Sequence, residues 1–264
     1  PTCAGYAIPT STEGMKCRMQ HRFIMASAMR TDVADADAEL LDGHDAQQVD
    51  MMAEAVILVD EMDRPLGRTS KVNAHRHAGA YHRAFSVMLF DEHDRLLLQR
   101  RADDKITFPG IWANTCCSHP LDVPEERDET EGIGVRRAAV RKLRQELGID
   151  AVGVDDLTYV GRFRYQARQD ETWIEREVDH LLVGRVSNLN VNPNPNEVAE
   201  VRWVSQDDLE TMLIEEDPEH PVAPWFRCIA ARLMTDAWWS AATVEDAQAL
   251  HDDRIHDLGD VSHM

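Results

Sequence analysis

Lysine is scarce in this chain of 264 residues, and acidic residues outnumber basic ones. The 28 Lys and Arg residues are set against 48 Asp and Glu residues, which leaves a formal net charge of −20. So acidic a chain lacks the basic face that nucleic-acid-binding proteins use, and we exclude nucleic acid as a partner. The few lysines are Lys16, Lys71, Lys105 and Lys142.

Long apolar runs are also missing. No window approaches 18 uncharged apolar residues, which excludes an ordinary transmembrane helix. The five cysteines lack the regular spacing of a disulfide framework. Reduced thiols indicate an intracellular, cytoplasmic protein. Residues 1–30 hold one acidic residue among several basic and hydroxyl residues. That composition is weakly similar to a transit peptide, so a plastid or other organelle is the alternative location. Because the chain begins with Pro1, it is expected to be a fragment, a processed form or a translated partial message.

The predicted elements are rich in strands, with helices between and after them. This order indicates an α+β fold of the α/β/α sandwich type. We expect an N-terminal extension over 1–49, a single catalytic domain over 50–242, and an exposed acidic tail over 243–264. Helices are predicted over 134–147, from 207 to about 212, and over 224–240, where the chain is rich in Trp. Strands are predicted at 53–60, 84–90, 95–99, 157–166, 173–185 and 198–204, with a turn at 63–67.

A long loop from about residue 100 to residue 132 carries two adjacent thiols, Cys116 and Cys117, and the imidazole of His119. Loops of this length inside a compact domain are usually functional. The thiols suit a zinc site, a redox pair or a catalytic acid/base. A vicinal pair rarely closes an unstrained disulfide, and the further C-x-x-C pair of a zinc site is missing. A thiol that transfers protons needs only a tuned pKa and a substrate carbon within reach. For Cys116, simple packing is the favoured interpretation.

Histidines and carboxylates form a second candidate site. His75 and His82 lie on either side of Gly79, which suggests a chain that folds back on itself. Glu175 and Glu177 alternate on a predicted strand, so both side chains point to one face. Imidazoles and carboxylates that converge would bind a metal ion. The alternative is a polar edge strand with no ligand.

Positive charge gathers beside the long loop, where Arg100, Arg101 and Lys105 precede the thiols and Lys71 precedes the histidines. In a chain this acidic, such a group favours an anionic ligand, phosphate or diphosphate above all. The alternative is ordinary solvated surface charge.

The helix over 134–147 ends in a sequence that resembles the Nudix signature. Arg141, Glu146 and Gly148 match that pattern. Lys142 and Gln145 stand where Nudix hydrolases have carboxylates, and Ile133 stands in place of an earlier Glu. The resemblance implies that the fold and one magnesium contact remain while hydrolysis is disfavoured.

Taken together, the segments between about Asp50 and Trp239 resemble type I isopentenyl-diphosphate isomerase, a Nudix-fold family. The resemblance implies a Nudix-type α/β/α sandwich with a mixed sheet. It also implies interconversion of isopentenyl and dimethylallyl diphosphate through a tertiary carbocation, in isoprenoid precursor biosynthesis. The matching segments are Met51–Glu54, His82–Ser86, Ile106–Gly110, Asn114–Pro120, Gly134–Ala139, Glu175-x-Glu177 and Pro224–Phe226.

The same resemblance implies a role for each site residue. Cys117 and Glu177 are the acid/base groups, Tyr165 assists Glu177, and Trp225 faces the carbocation. One divalent ion, Zn²⁺, Mn²⁺ or Mg²⁺, binds His75, His82, His119, Glu175 and Glu177. A second ion, Mg²⁺, arrives with the diphosphate and contacts Glu146. The remaining substrate contacts are Lys71, Arg101, Lys105, Lys142 and Ser118. We expect a monomer whose partner is this small diphosphate.

Two other hypotheses stay open on the sequence. One is a Nudix hydrolase of a diphosphate, against which the missing carboxylates count. The other is a non-catalytic module that binds zinc or responds to thiol oxidation.

Overall fold

The structure is a computed structural model that describes residues 40–215, 217–241 and 243–264. The possible transit segment over 1–30 lies outside these residues. The strands are β1 (Ala55–Val59), β2 (Pro65–Ser70), β3 (His82–Phe90), β4 (Leu96–Arg101), β5 (Trp112–Ala113), β6 (Cys116–Ser118), β7 (Thr158–Arg168), β8 (Ile174–Arg185), β9 (Val198–Val204) and β10 (Asp252–Asp260). The α-helices are α1 (Ala46–Met52), α2 (Lys71–His75), α3 (Ile133–Leu147), α4 (Gln206–Ile214), α5 (Pro224–Arg232), α6 (Asp236–Ser240) and α7 (Val244–Gln248). Short 3₁₀ turns cover Thr130–Gly132 and Val154–Asp156.

A mixed sheet forms the centre of the fold, with the strand order β10-β7-β8-β3-β1-β2. β3 is parallel to β8, and β10 is parallel to β7. β7 and β8 are antiparallel, as are β1 and β2, and β4 and β9. The short strand β6 lies antiparallel to β3 and places Cys117 opposite Ser86. The predicted mixed sheet is confirmed.

The two faces of the sheet carry separate hydrophobic cores, because successive side chains of a strand point to opposite sides. On β3, Phe85, Val87 and Leu89 pack in the core that includes α3. The alternate residues Met88 and Phe90 pack in the core that includes α5 and α6. Helices therefore cover both faces, and the predicted α/β/α sandwich is confirmed.

Helix α3 forms over almost the predicted range. Its apolar face is buried, and Gly148 ends it in the left-handed conformation, with φ at 62°. Gly134 is required at the first turn, because a Cβ there would lie 2.4 Å from the carbonyl oxygen of Glu126. The helix is thereby held close to the loop that precedes it.

The predicted long helix over 224–240 is wrong, because the structure has two shorter helices. α5 ends at Arg232, and α6 starts after Thr235, whose backbone is extended. The break lets two separate pairs of aromatic residues enter the same core. These residues are Trp225, Phe226, Trp238 and Trp239.

The acidic end of the chain differs from the exposed tail that the sequence predicts. β10 pairs with β7 along the edge of the sheet, and Val261 donates a backbone hydrogen bond to Gln166. Leu258 and Val261 are buried, while most other side chains of β10 remain exposed or half-buried. Backbone pairing, which charge patterning does not reveal, joins this segment to the sheet.

Two shorter predictions also change. The turn predicted at 63–67 is displaced, since Pro65 already pairs with Val59 at the start of β2. The loop from residue 100 to residue 132 is interrupted by β5 and β6. Within the described part of the chain, no helix has the length and apolar character needed to cross a membrane.

Candidate metal and diphosphate site

Five buried side chains converge at one end of the sheet. Each offers one ligand atom, and these atoms all lie within 4.8 Å of one another. The last residue of α2, the first residue of β3, the loop after β6 and two positions of β8 contribute. The five residues are His75, His82, His119, Glu175 and Glu177.

The local chain geometry brings these groups together. Gly79 adopts a φ of 66°, a left-handed conformation that favours glycine, between α2 and β3. The chain folds back there, so that the rings of His75 and His82 have centroids 4.6 Å apart. His82 is the cross-strand partner of Glu177, and Glu175 and Glu177 lie on one face of β8, as predicted.

Backbone carbonyls orient two of the imidazole rings. His75 Nδ1 lies 2.7 Å from the carbonyl oxygen of Lys71, and His82 Nδ1 lies 2.8 Å from that of Ala80. A carbonyl only accepts hydrogen bonds, so Nδ1 of each ring carries a proton. Nε2 of each ring faces the other ligand atoms, as in histidines that bind metals.

This cluster fits a divalent cation. His82 Nε2 is buried and lies 3.4 Å from Glu177 Oε1, but it has no hydrogen-bond partner among the described residues. His75 Nε2 lies 2.7 Å from Glu175 Oε2, and His119 Nε2 lies 2.7 Å from Glu177 Oε1. Imidazole nitrogens and carboxylate oxygens that face one point match the donor preferences of Zn²⁺ and Mn²⁺.

The two oxygens of Glu177 have different partners. Oε1 faces His119, while Oε2 accepts a hydrogen bond of 2.6 Å from the hydroxyl of Tyr165. Tyr165 stands opposite Glu177 in the antiparallel pair β7–β8, which explains the contact. One carboxylate can therefore serve the metal cluster through one oxygen and a proton relay through the other.

Cys117 lines the same cavity as Glu177 and Tyr165. Burial raises the pKa of its thiol to about 12, although Arg101 opposes the shift. Arg101 Nη1 lies 3.9 Å from Cys117 Sγ. At neutral pH the group is a thiol that carries a proton, and not a thiolate.

The predicted substrate cations line this cavity too. Lys71 pairs with Glu54 at 2.9 Å, Lys142 pairs with Glu146 at 3.0 Å, and Lys105 pairs with Glu197. Arg101 donates to the carbonyl oxygens of Phe108 and Thr107 at 2.8 and 2.7 Å. Each cation is thus held in place by an acceptor and keeps further N–H groups for a ligand.

Burial and neighbouring charges shift the pKa values of the carboxylate and ammonium groups that line the cavity. Burial opposes the ionisation of Glu146, but Lys142 and Lys105 outweigh it and hold the pKa of Glu146 at about 2. Burial, together with neighbouring Lys142, lowers the pKa of Lys71, and burial with neighbouring Arg101 lowers that of Lys105. An anionic ligand would relieve the repulsion among these cations.

Trp225 closes the apolar side of the cavity. Its ring meets Phe108 edge-on at a centroid distance of 5.1 Å and lies 6.2 Å from the ring of Tyr165. The cavity has a volume of only about 60 Å³. A diphosphate ester therefore enters only when lining side chains move apart.

Known proteins resemble this chain over most of its length. A family profile for the NUDIX domain matches residues 80–226. Isopentenyl-diphosphate Delta-isomerase 1 of Bos taurus is 44% identical over 205 residues, which cover 75% of this chain and 89% of the relative. The isopentenyl-diphosphate Delta-isomerase of Dictyostelium discoideum is 42% identical over 208 residues, or 75% of this chain and 87% of that protein. The corresponding protein of Schizosaccharomyces pombe is 41% identical over 222 residues, or 81% of this chain and 94% of that protein.

The chain belongs to the type I isopentenyl-diphosphate Delta-isomerase family, which has the Nudix fold. All the residues that the family resemblance predicts for the site are brought together. His82 lies in the metal cluster, and the others line the cavity. These others are Lys71, His75, Arg101, Lys105, Cys117, Ser118, His119, Lys142, Glu146, Tyr165, Glu175, Glu177 and Trp225.

Sequence reasoning missed several residues of this isomerase-family site. Gln48, Met51, Met52 and Glu197 also line the cavity. Helix α1 therefore belongs to the site, although it starts at Ala46, before the predicted domain boundary. Glu197 follows the run Asn192–Asn196 and directly precedes β9.

Asp179 is a further buried acid on the face of β8 that carries Glu177. It accepts a hydrogen bond of 2.8 Å from Ser86, and burial raises its pKa well above the usual range, with Glu177 adding to the shift. The alternation Glu175, Glu177, Asp179 was visible in the sequence and could have revealed it.

Cys116 points away from the cavity. It is fully buried in the core beneath α3, and its Sγ lies 3.6 Å from Glu146. The interpretation of Cys116 as a packing residue agrees with this position. The two adjacent thiols face opposite sides of the sheet because they are neighbours on one strand.

Proposed function

We propose that this cavity is the active site of the isomerase, with Cys117 and the Tyr165–Glu177 pair as its two proton-transfer groups. The observation that carries the proposal is that a protonated thiol and a hydrogen-bonded Tyr–Glu pair line one cavity, beside lysines suited to a diphosphate.

The reaction needs one proton added and one removed. Protonation of the terminal alkene carbon of isopentenyl diphosphate gives a tertiary carbocation. Loss of a proton from the methylene next to the diphosphate-bearing carbon then gives dimethylallyl diphosphate. One group delivers the proton and the other accepts one, and the two exchange roles in the reverse direction.

The three lysines that line the cavity would hold the diphosphate. Lys71, Lys105 and Lys142, with Arg101, gather positive charge in an otherwise acidic protein. The negative charge of a diphosphate would offset the cost of burying these cations and the repulsion between them. Ser118 lies on the same wall and offers a hydroxyl donor. Charge-assisted hydrogen bonds of this kind are the strong ones in proteins.

Two divalent ions fit the residues present. The His/Glu cluster would hold Zn²⁺, Mn²⁺ or Mg²⁺, whose positive charge would stabilise the ionised Glu175 and Glu177. Mg²⁺ that accompanies the diphosphate would contact Glu146, which is ionised at neutral pH. This chain's own contribution is to place both ion sites beside the thiol.

Trp225 and the closed cavity protect the carbocation. An aromatic face stabilises a desolvated cation by about 2 kcal/mol. Exclusion of water matters as well, because water would trap the cation as an alcohol. We also propose that the enzyme acts as a monomer.

Diphosphate hydrolysis is the second candidate, and nothing in the site favours it. A hydrolase needs several carboxylates on the Nudix helix to gather magnesium. Here Lys142 occupies one such position and is buried as a cation against Glu146. The helix therefore contributes a mixed charge pair in place of a carboxylate cluster.

The location of the protein stays a proposal. Cys116, Cys117 and Cys228 are free thiols, which suits a reducing, cytoplasmic setting. An organelle remains the alternative if residues 1–30 act as a transit segment.

The test is to incubate the purified protein with isopentenyl diphosphate and Mg²⁺, with the metal content measured on the same sample. We expect dimethylallyl diphosphate to form until the two isomers reach equilibrium, without release of phosphate. Released phosphate in the absence of dimethylallyl diphosphate would overturn the proposal and favour the hydrolase.

A further inference from the structure

We infer that Glu197 is a positioning residue, which holds Lys105 in place for the diphosphate and fastens helix α1 over the cavity through Gln48. The inference rests on the proposed function, because it assigns Lys105 to the diphosphate. Glu197 follows an irregular segment to which the sequence analysis gave no function.

Glu197 bridges two parts of the cavity wall. Its side chain is almost completely buried, and each carboxylate oxygen has its own partner. Oε2 accepts from Lys105 Nζ, and Oε1 accepts from Gln48 Nε2 at 3.1 Å. Gln48 also donates to the carbonyl oxygen of Asn196 at 2.9 Å. One carboxylate thus connects α1 to the segment that carries Lys105.

Lys105 needs such a partner to stay charged in the cavity. It lies close enough to Arg101 for repulsion to add to the cost of its burial. A buried cation without a counter-charge either loses its proton or turns outward. An ammonium group has three N–H donors, so one can remain on Glu197 while two bind phosphate oxygens.

The backbone around Glu197 is hydrogen-bonded to two neighbouring segments. The carbonyl oxygen of Glu197 accepts from the amide of Ala102 at 3.0 Å, and this bond joins Glu197 to the start of the loop that carries Lys105. Upstream, Asn192 and Asn194 donate their backbone N–H groups to Leu147 and Glu146, both at 2.8 Å. The segment therefore satisfies carbonyls at the end of α3 and fixes Glu197 relative to the Nudix helix.

The experiment is a double-mutant cycle on diphosphate binding. Inorganic diphosphate with Mg²⁺ is titrated by calorimetry into the wild type, Glu197→Gln, Lys105→Met and the double variant. In Glu197→Gln the amide can still accept from Gln48, but it places no negative charge against Lys105. We expect Kd to rise about tenfold in each single variant and no further in the double variant. Effects that add, or an unchanged Kd in Glu197→Gln, would overturn the inference.

Two further variants distinguish an effect of Glu197 on Lys105 from an effect on α1 and from a general change in charge. Gln48→Leu releases the helix but keeps the ion pair, and we expect its Kd to change less than that of Glu197→Gln. An equal change would assign the effect to α1 and contradict the role for Lys105. Glu200→Gln removes a half-exposed carboxylate on β9 that is outside the cavity, and its Kd should match the wild type.

Steady-state kinetics on the same variants complete the test. A positioning role predicts a raised KM for isopentenyl diphosphate with a smaller change in kcat, whereas misfolding would lower the active fraction without changing KM. If the wild type isomerises its substrate but Glu197→Gln binds normally, only the inference fails. If the wild type shows no isomerase activity, the proposed function itself fails.

Discussion

The same strands build two buried polar clusters on opposite faces of one sheet, and the clusters differ in how their polar groups face one another. On β3, His82 points into the metal cluster, while its neighbour Arg83 points to the other side. On β8, Glu177 and His180 divide in the same way. Both clusters combine histidine with carboxylate, so residue type alone does not separate them.

The second cluster is centred on Asp63, whose carboxylate is surrounded by two guanidinium groups and an imidazole. Asp63 accepts from Arg83 Nε at 2.8 Å, lies 2.8 Å from His180 Nε2 and 3.1 Å from Arg162 Nη1. Burial opposes ionisation, but His180 and Arg83 outweigh it and hold the pKa of Asp63 well below its usual range. Its groups pair positive with negative charge.

In the metal cluster, by contrast, ligand atoms face one another across a common point. His82 Nε2 has no hydrogen-bond partner among the described residues, and three imidazoles stand with ring centroids 4.6, 5.1 and 4.7 Å apart. Burying such groups without a cation costs free energy. What distinguishes the candidate metal site is therefore the convergence of its ligand atoms on one point, which neither burial nor residue type reveals.

The largest expected effect comes from the metal cluster. His82→Asn should abolish isomerase activity and lower the bound metal measured by elemental analysis, because it removes a ligand. Treatment with a chelator should have the same result in the wild type, with activity restored by Zn²⁺, Mn²⁺ or Mg²⁺. A variant that retains full metal and activity would remove the distinction between the two clusters.

Cys117→Ala should lower kcat by about 10³-fold, within the range for removal of a general acid or base. Metal content and the unfolding midpoint should stay close to those of the wild type. Cys116→Ala is the matched control, because its side chain faces the opposite core. We expect that control to lower stability but to keep kcat within about tenfold, and a reversed pattern would contradict the assignment.

Asp63→Asn should lower the free energy of unfolding by about 3 kcal/mol at neutral pH, as expected when one partner of a buried ion pair is lost. Metal binding and kcat of the folded enzyme should not change. The pKa of Asp63 is lower in the folded than in the unfolded protein, so its contribution is complete above about pH 4. As the pH falls below that value, the contribution is progressively lost. Urea unfolding at pH 7 and pH 3 checks this, and an equal difference between variant and wild type at both values would contradict it.

The smallest effect on activity is expected at Trp225, on the apolar side of the cavity. Trp225→Leu should reduce kcat about 30-fold, which corresponds to roughly 2 kcal/mol of cation–π stabilisation. Trp225→Phe keeps an aromatic face and should lose less. Equal losses in the two variants would show that packing, and not the electrostatics of the ring face, explains the contribution of Trp225.

Much of the fold follows from local pattern. The strands β3, β7 and β8 are rich in apolar residues, and the helix α3 has an apolar face and a glycine stop, so their predicted ranges agree closely with the structure. The two larger failures have physical causes. The helix over 224–240 breaks at an extended Thr235, and β10 is held by backbone pairing with β7. Neither leaves a signature in the sequence that outweighs an apolar helical pattern or an acidic composition.

Ordered motifs in the sequence identify the groups of the site, because they place the thiols, histidines, carboxylates and lysines in a known family pattern. How those groups are divided between the cavity and its surroundings depends on the tertiary structure. The register of β6 against β3 turns Cys117 toward the cavity and Cys116 toward α3. The hydrogen bond from Tyr165 gives the two oxygens of Glu177 different partners. The tertiary structure also adds Glu197 and Gln48 to the site, because contacts between residues far apart in the chain depend on packing and not on local pattern.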